Sequence, residues 1–390
     1  MEEKNKEELI SDPFASLRQA SGINQIDDNN DPVKMVLRHR DVRKCAHNYK
    51  TFQSGAVPGR IVVPSEVEIR DTRQIPFEVD PPEHGAYRSL VEDWFRRPLK
   101  EDYEKELKKL IDKEIDNAIA SDNIEVVSEF ALHMQSRALT LLLNLPLLEA
   151  ETWIAWGTHV FRSEETKLDA SKANILYDYI DQEINKAKNS PGEEIYSVLL
   201  NTEHDNRLLS HEEIKGIMIL TFAGGRDTVI NMITNAIAYM AKNKKALAYL
   251  KENPENVGRA VEELVRYFSP LTHMGRVATE DATVCEHAVK SDTRISLCWA
   301  SANRDETVFE NPNEVMLDRK INPHVAFGFS HHRCLGAHHA RQVLKVLLLS
   351  LAERIESIDI TDKEENIETW GEVKRKVGFH KLYANFSSNK

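Results

Sequence analysis

The chain has 390 residues, 41% of them apolar, and a formal net charge of −12. This length and apolar content suit one large fold or two ordinary domains and exclude a disordered or fibrous protein. The acidic balance argues against a nucleic-acid-binding protein, which normally carries a basic excess.

The chain shows no pattern of export or membrane anchoring. Its N-terminal segment, MEEKNKEELISDPFASL, is polar and acidic and does not resemble a secretory signal peptide. No stretch approaches the roughly 20 apolar residues that span a bilayer. The four cysteines show no paired spacing, which favours a reducing compartment. We therefore expect a cytoplasmic protein without a membrane anchor, with a short N-terminal tail (about residues 1–15) that is disordered.

Helical periodicity dominates the chain. It predicts helices over residues 99–121, 149–162, 168–188, 211–242, 254–268 and 335–357. The helix over 211–242 is long and mostly apolar, which indicates a buried central helix. Short strands are predicted over 60–64, 273–279 and 294–299, and irregular coil over 308–326. No linker or repeat divides the chain, so we expect one domain over residues 1–390, mainly α with small β-sheets (α+β).

The most informative segment is FGFSHHRCLGAHHAR, in which a loop leads to Cys334 and an apolar helix follows. The start of a helix favours thiolate over thiol, because unpaired N–H groups and the helix dipole stabilise negative charge. Gly336 would allow a flat cofactor to approach the backbone. Taken alone, the cysteine could also be a small buried hydrophobic residue or part of a zinc site. The zinc ligands would come from His331, His332, Cys334, His338 and His339.

This segment resembles the haem-binding loop of the cytochrome P450 family, Phe-Gly-x-Gly-x-His-x-Cys-x-Gly. The matching residues are Phe327, Gly328, His332, Cys334 and Gly336. The resemblance implies the cytochrome P450 fold with a long central helix over the haem, haem b as cofactor, and Cys334 as axial ligand of the iron. Ser330 stands where the family usually has glycine. Its effect on the turn is open, because serine tolerates positive φ less well.

Other segments resemble motifs of the same family and occur in the family's order. The pair Glu263 and Arg266 matches Glu-x-x-Arg, and Arg319 matches the arginine that joins that pair. The resemblance implies a structural network that supports the haem loop. On a helix, residues three apart share a face, so an exposed surface ion pair is the alternative.

The segment AGGRDT lies inside the predicted central helix. Two glycines there cost about 1 kcal/mol each relative to alanine, so a simple kink is one interpretation. The segment resembles the family's oxygen-binding motif, matched by Gly224, Gly225, Asp227 and Thr228. The resemblance implies that the glycines open a groove for dioxygen and that Asp227 and Thr228 relay protons. Val229 stands where many members have a second threonine.

The segment DPPEHGAYR resembles the start of the family's haem-flanking helix. His84 and Arg88 are four residues apart and share a helix face. In the family these positions, together with those matched by Arg276 and His332, bind the haem propionates. Read without the family, this spacing is more typical of a solvated surface.

The resemblance implies a monooxygenase that inserts one oxygen atom from O2 into a lipophilic small molecule. No flavin or nicotinamide fingerprint is visible in the chain, so electrons would come from a ferredoxin-type donor with its reductase. Membranes and nucleic acids are not expected as partners. Basic residues flanking the cysteine side could bind such a donor: Arg96, Arg97, Lys100, Arg333 and Arg341.

The substrate is the least determined feature. Four residues are predicted to form the pocket wall near the iron: Leu220, Ala223, Thr272 and Met274. Their mainly apolar character favours a lipophilic substrate. The alternatives are a peroxide-driven peroxygenase and, from another class, a haem gas sensor or electron carrier.

Overall fold

The computed structural model describes residues 12–28, 30–55, 61, 70, 72–159 and 169–389. Helices provide most of its regular structure. The α-helices are α1 (Ala15–Ala20), α2 (His39–His47), α3 (Glu83–Phe95), α4 (Glu101–Ala120), α5 (Leu132–Leu143), α6 (Glu149–Ala155), α7 (Ala170–Asn189), α8 (Ile195–Leu200), α9 (His211–Gly225), α10 (Asp227–Lys242), α11 (Lys244–Glu252), α12 (Val257–Phe268), α13 (Trp299–Ala302) and α14 (Ala337–Arg354).

The strands form small sheets. They are β1 (Ile23–Asp28), β2 (Asp31–Val36), β3 (Phe52–Gln53), β4 (Ile124–Glu125), β5 (Glu203–His204), β6 (Arg207–Leu208), β7 (His273–Ala278), β8 (Ala282–Val284), β9 (His287–Val289), β10 (Arg294–Cys298), β11 (Ile355–Trp370) and β12 (Val373–Ser388). A five-stranded sheet has the order β1-β2-β10-β7-β3, and β10 runs parallel to β2. A second sheet has the order β11-β12-β4, and two short hairpins pair β5 with β6 and β8 with β9.

The predicted central helix is present but broken. It consists of α9 and α10, which meet at Arg226, where φ is −107° and ψ is −74°. The helix begins with a capping box, in which Ser210 and Glu213 bond each other's backbone N–H groups. Periodicity alone did not predict the break, because the apolar pattern continues across it.

The two halves of the central helix pack into different parts of the core. Helix α9 shares an apolar cluster with α3 and α7, through residues such as Ile217, Val91 and Ile180. Helix α10 shares another with α4 and α14, through Ile233 and Leu347 among others. Because each half is held by its own cluster, the break at Arg226 has a fixed place in the fold.

The other predicted helices have counterparts in the structure, as do the predicted strands over 273–279 and 294–299. The sequence did not predict several further elements, among them α2, α5, α11, the β1–β2 pair and the C-terminal hairpin of β11 and β12. Of the predicted strand over 60–64, only residue 61 is described. The helix predicted over 149–162 ends at Ala155, and residues 160–162 lie outside the described residues. Residues 1–11 of the predicted tail also lie outside the described residues, whereas Asp12 and Phe14 are buried, so the predicted disorder does not extend to these two residues. Among the described residues, no helix is both long enough and apolar enough to cross a membrane.

Candidate active site

The loop that carries Cys334 is fixed by its own backbone. The N–H of Cys334 donates to the carbonyl of Phe327 at 2.7 Å. Gly328 and Ser330 both adopt left-handed conformations, with φ of +74° and +65°. For a non-glycine residue this conformation costs about 1–3 kcal/mol. Nδ1 of His47 lies 3.0 Å from the Ser330 hydroxyl and holds that side chain, so the serine adopts the turn that a glycine would adopt.

The Cys334 thiol lies directly before α14. Burial raises its pKa, whereas the N–H of Gly336 and the positive charges of Arg341, Arg88 and Arg333 oppose the rise. The residue is nevertheless accessible to solvent. A Cβ added to Gly336 would meet no atom within 4 Å. A sulfur ligand beside open space and positive charge fits a flat, iron-bearing cofactor such as haem.

Three of the four side chains predicted to bind propionates lie together beside this loop. The rings of His84 and His332 are 4.3 Å apart, and His84 and Arg276 are buried. Burial, with the nearby charge of Arg276, lowers the pKa of His332 to about 4. Neither ring nitrogen of His332 has a hydrogen-bond partner among the described residues. These donors fit the carboxylates of a haem. The fourth, Arg88, also contacts this loop, where it donates to the carbonyl of Arg333 at 2.8 Å.

Asp80 is a neighbour that the sequence did not single out. It accepts the N–H groups of Ser54 at 3.0 Å and Gly55 at 2.6 Å. Its Oδ1 lies 3.6 Å from Nε2 of His332, too far for a good hydrogen bond but near enough to orient the ring. Its position four residues before His84 was the only signal available.

The predicted oxygen-binding segment coincides with the break in the central helix. The N–H groups of Val229 and Ile230 both donate to the carbonyl of Arg226, at 3.1 and 3.0 Å. The hydroxyl of Thr228 donates to the carbonyl of Gly224 at 3.1 Å. A Cβ added to Gly224 would meet no atom within 4 Å. The glycine therefore borders open space beside an irregular turn.

Asp227 has a partner that sequence reasoning missed. Its Oδ2 lies 2.7 Å from Nδ1 of His159, which follows α6. Its Oδ1 is buried and has no hydrogen-bond partner among the described residues. The two residues are 68 positions apart, and no motif links them. The carboxylate is therefore held on one side and unsatisfied on the other.

Arg226, between the glycines and Asp227, is fully buried. One of its nitrogens donates to the carbonyls of Trp153 at 2.8 Å and Gly157 at 2.7 Å. Burial lowers its pKa to about 10. The arginine thus ties the break to the C-terminal end of α6. A charged residue inside an apolar helix was the sequence signal for such a role.

The predicted structural network is buried and complete. Arg266 binds both carboxylate oxygens of Glu263 at 2.8 Å, and Nε of Arg319 binds one of them at 2.8 Å. The N–H of Met316 donates to the same carboxylate at 2.8 Å. Although burial alone would raise it, these partners lower the pKa of Glu263. The network therefore joins α12 to the coil before the cysteine loop.

Comparison with known proteins places this geometry in a family. Residues 156–379 match the family model described as Cytochrome P450. The chain belongs to the cytochrome P450 family. It is similar to a solved structure described as that of a carbohydrate active P450, with 62% identity and a TM-score of 0.95 over 97% of this chain and 98% of that one.

Two curated relatives also belong to the cytochrome P450 family. A biotin biosynthesis cytochrome P450 from Bacillus subtilis is 29% identical over 290 residues, 73% of each protein. A probable cytochrome P450 127A1 from Sinorhizobium fredii is 30% identical over 345 residues, 87% of this chain and 80% of that protein. The predicted family and fold are therefore confirmed. The chain is a monooxygenase-type oxidoreductase of a family whose cofactor is haem b.

The four predicted wall residues of this cytochrome P450 differ in their surroundings. Leu220, Ala223 and Met274 are partly exposed. Thr272 is buried, and its hydroxyl accepts from Nη1 of Arg375 at 2.8 Å. Thr272 is thus bound to the C-terminal hairpin, whereas the other three have accessible apolar surface.

The zinc alternative is not supported by the geometry. Among the described residues, no group of three or more His, Cys, Asp or Glu side chains is placed to hold a metal ion. His339 is buried and directed towards Tyr103 and Gln135 rather than Cys334.

The predicted basic surface is smaller than expected. Arg96, Lys100 and Arg333 are exposed. Arg341 instead pairs with Glu262, whose carboxylate accepts from it at 2.5 and 2.8 Å. Arg341 therefore has less free charge to offer a partner than the sequence indicated.

Proposed function

We propose that this cytochrome P450 is a haem-thiolate monooxygenase that acts on a carbohydrate. The observation that carries the substrate class is the 62% identity over 97% of the chain to a carbohydrate active P450. This similarity covers 97% of this chain and 98% of that one. It outweighs the relatives of about 30% identity or less, which differ in their described roles.

When bound, haem supplies the redox chemistry by which one atom of O2 enters a C–H bond of the substrate. Cys334 would bind the iron through its thiolate. His84, His332 and Arg276 would hold the propionates by charge-assisted hydrogen bonds. Their convergence beside the Cys334 loop supports this assignment.

The residues at the helix break would manage protons. Gly224 and Gly225 leave space for dioxygen, while Thr228 and Asp227 hold and pass protons to it. His159 orients the Asp227 carboxylate. A base so placed can serve as a relay when its geometry and protonation suit the transfer.

The polar groups near the break also suit a hydroxylated substrate. Among the described residues, one carboxylate oxygen of Asp227 has no hydrogen-bond partner, and His159 lies beside this carboxylate. Sugar hydroxyl groups can donate to such oxygens, whereas a hydrocarbon would leave them without partners. The lipophilic substrate predicted from the sequence is the second candidate, favoured by the accessible apolar surface of Leu220, Ala223 and Met274.

Electrons would come from a ferredoxin-type donor with its reductase, because the sequence shows no flavin or nicotinamide fingerprint. Exposed Arg96, Lys100 and Arg333 provide positive charge for an acidic donor. The presence of Asp227 and Thr228 favours O2 over peroxide as oxidant, and the paired glycines at the helix break disfavour a simple electron carrier.

The experiment has two steps. The carbon-monoxide-bound, reduced protein should show the red-shifted Soret band of a thiolate ligand, and Cys334→Ala should abolish it. The purified holoenzyme is then titrated with neutral mono- and oligosaccharides, and with a fatty acid, a terpenoid and an aromatic compound of similar mass. A saturable spin-state shift with a saccharide alone supports the proposal. A shift with the lipophilic compounds alone rejects the carbohydrate assignment and leaves the monooxygenase assignment standing.

A further inference from the structure

A buried polar chain connects the helix that follows Cys334 to the break in the central helix. Nδ1 of His339, on α14, lies 3.2 Å from the hydroxyl of Tyr103. Nε2 of His339 lies 3.3 Å from the side-chain nitrogen of Gln135, on α5. That same nitrogen donates to the carbonyl of Gly225. All three side chains are buried, with exposed fractions of 6% or less.

The direction of these hydrogen bonds follows from the groups involved. The carbonyl of Gly225 can only accept, so the Gln135 group that faces it must be the NH2. Its second hydrogen is then directed to Nε2 of His339, which must accept. Nδ1 of His339 therefore carries the proton and donates to Tyr103. Burial lowers the pKa of His339 to about 4, so the ring is neutral near pH 7.

The Gly225 carbonyl needs such a donor because of the break. In a continuous α-helix it would accept the N–H of Val229, four residues on. That N–H donates instead to the carbonyl of Arg226 at 3.1 Å. A partly buried carbonyl without a donor would carry a desolvation penalty, and the amide of Gln135 removes that penalty.

Contacts of α5 with the break do not depend on Gln135 alone. A Cβ added to Gly225 would lie 3.9 Å from a methyl group of Leu139. Gln135 and Leu139 are four residues apart and share one face of α5. The same face thus packs against Gly225 and supplies its hydrogen-bond donor.

We propose that Gln135 is a positioning residue that holds the break open by binding the Gly225 carbonyl, and that His339 fixes the orientation of its amide. The carbonyl is thereby kept away from the N–H of Val229, and Thr228 keeps the position from which it reaches Gly224. Helix α14, which follows the cysteine loop, is in this way connected to the residues at the break between α9 and α10. The inference rests on the proposed role of Asp227 and Thr228 in moving protons to dioxygen.

The test uses haem-loaded variants of the full chain. Gln135→Met has a side chain of similar length without donors, and His339→Leu removes the acceptor. His339→Gln is the matched control, because its amide oxygen can accept where Nε2 does. Gln135→Leu, which also lacks hydrogen-bond donors, serves if Gln135→Met yields no holoenzyme.

The first readout is structural and independent of activity. In a crystal structure of Gln135→Met, we expect the Gly225 carbonyl to approach the Val229 N–H to about 3 Å, the distance of a helical hydrogen bond. An unchanged break would overturn the proposal, because the break would then not depend on Gln135.

The second readout is the share of consumed O2 released as hydrogen peroxide, measured without substrate, with NADPH, a ferredoxin and its reductase. Two electrons per O2 give peroxide, and four give water. We expect Gln135→Met and His339→Leu to raise the peroxide share several-fold, His339→Gln to stay near the wild type, and the double variant to add nothing to the larger single effect. General damage would lower total O2 consumption without this pattern.

A Thr228→Ala variant separates this proposal from the function on which it rests. If Thr228→Ala raises the peroxide share while Gln135→Met and His339→Leu do not, the proton role of Thr228 stands and the present inference fails. If Thr228→Ala also has no effect, the proposed proton role is wrong. The distance between Gly225 and Val229 in the Gln135→Met crystal then still decides whether Gln135 holds the break.

Discussion

Replacing Glu263 by glutamine tests whether the buried charge network supports the fold. The carboxylate is fully buried and accepts from Arg266, Arg319 and the N–H of Met316. Glutamine keeps the shape but removes the charge, leaving two guanidinium groups without an anion. Loss of one partner of a buried ion pair costs about 3–5 kcal/mol. We expect the lower end, about 3 kcal/mol, because the amide oxygen can still accept one hydrogen bond.

This free energy converts into a small but measurable thermal shift. Unfolding entropy of about 2.1 cal/mol/K per residue implies roughly 0.8 kcal/mol/K for a chain of this size, so the midpoint should fall by about 4 °C. The assay is thermal unfolding of the holoenzyme by circular dichroism, with urea unfolding as a second measure. The fraction of haem retained on heating should fall as well, because the network joins α12 to the coil before the Cys334 loop.

The neighbouring residue provides the control. Glu262 also binds an arginine, Arg341, but its side chain is 30% exposed. Solvent contact weakens an ion pair relative to a buried one, so Glu262→Gln should lower the midpoint by less than Glu263→Gln does. Equal shifts in the two variants would contradict the argument that burial makes the Glu263 network important.

Three further predictions concern the active site and its loops. His159→Leu should lower the rate of product formation roughly tenfold, which is less than the loss of an acid–base group itself would cause. The carbon-monoxide spectrum should be unchanged. Equal rates in the variant and the wild type would show that Asp227 does not need His159. Ser330→Val should lower unfolding free energy by at least about 1 kcal/mol, since a branched residue is disfavoured at positive φ, whereas Ser330→Gly should be near neutral in urea unfolding. Gly275→Ala should abolish soluble expression, because its Cβ would lie 1.9 Å from the carbonyl of Ile61; normal yield would refute that packing.

Much of this fold could be predicted because its helices are amphipathic or apolar over long stretches. Helices α4 and α14 lie within a few residues of their predicted ranges. The hairpin of β11 and β12 was missed because its strands are rich in charged residues and lack clear alternation. The paired glycines allowed a kink as one interpretation, but the sequence did not decide for a break at Arg226, because the break depends on packing against two different clusters.

The candidate site divides in the same way. Cys334 and the segment from Gly224 to Thr228 were predicted because they form local motifs. His159 and Gln135 were not, since their partners lie 68 and 90 positions away in the chain. Contacts of that kind become visible only when helices are packed, and no local pattern of residues encodes them.

Adjacent residues at the break hold different neighbours, and this determines how the active site is connected to the fold. Arg226 binds carbonyls at the end of α6, Asp227 binds His159 just beyond that end, and the Gly225 carbonyl binds Gln135 on α5. The break is therefore fixed from two sides. A change in the position of α6 must act on Arg226 and Asp227 together, whereas a change in α5 acts on Gly225. Substitutions on α6 should thus affect the position of Asp227 and of the charged Arg226 beside it. Substitutions on α5 should affect the break between α9 and α10.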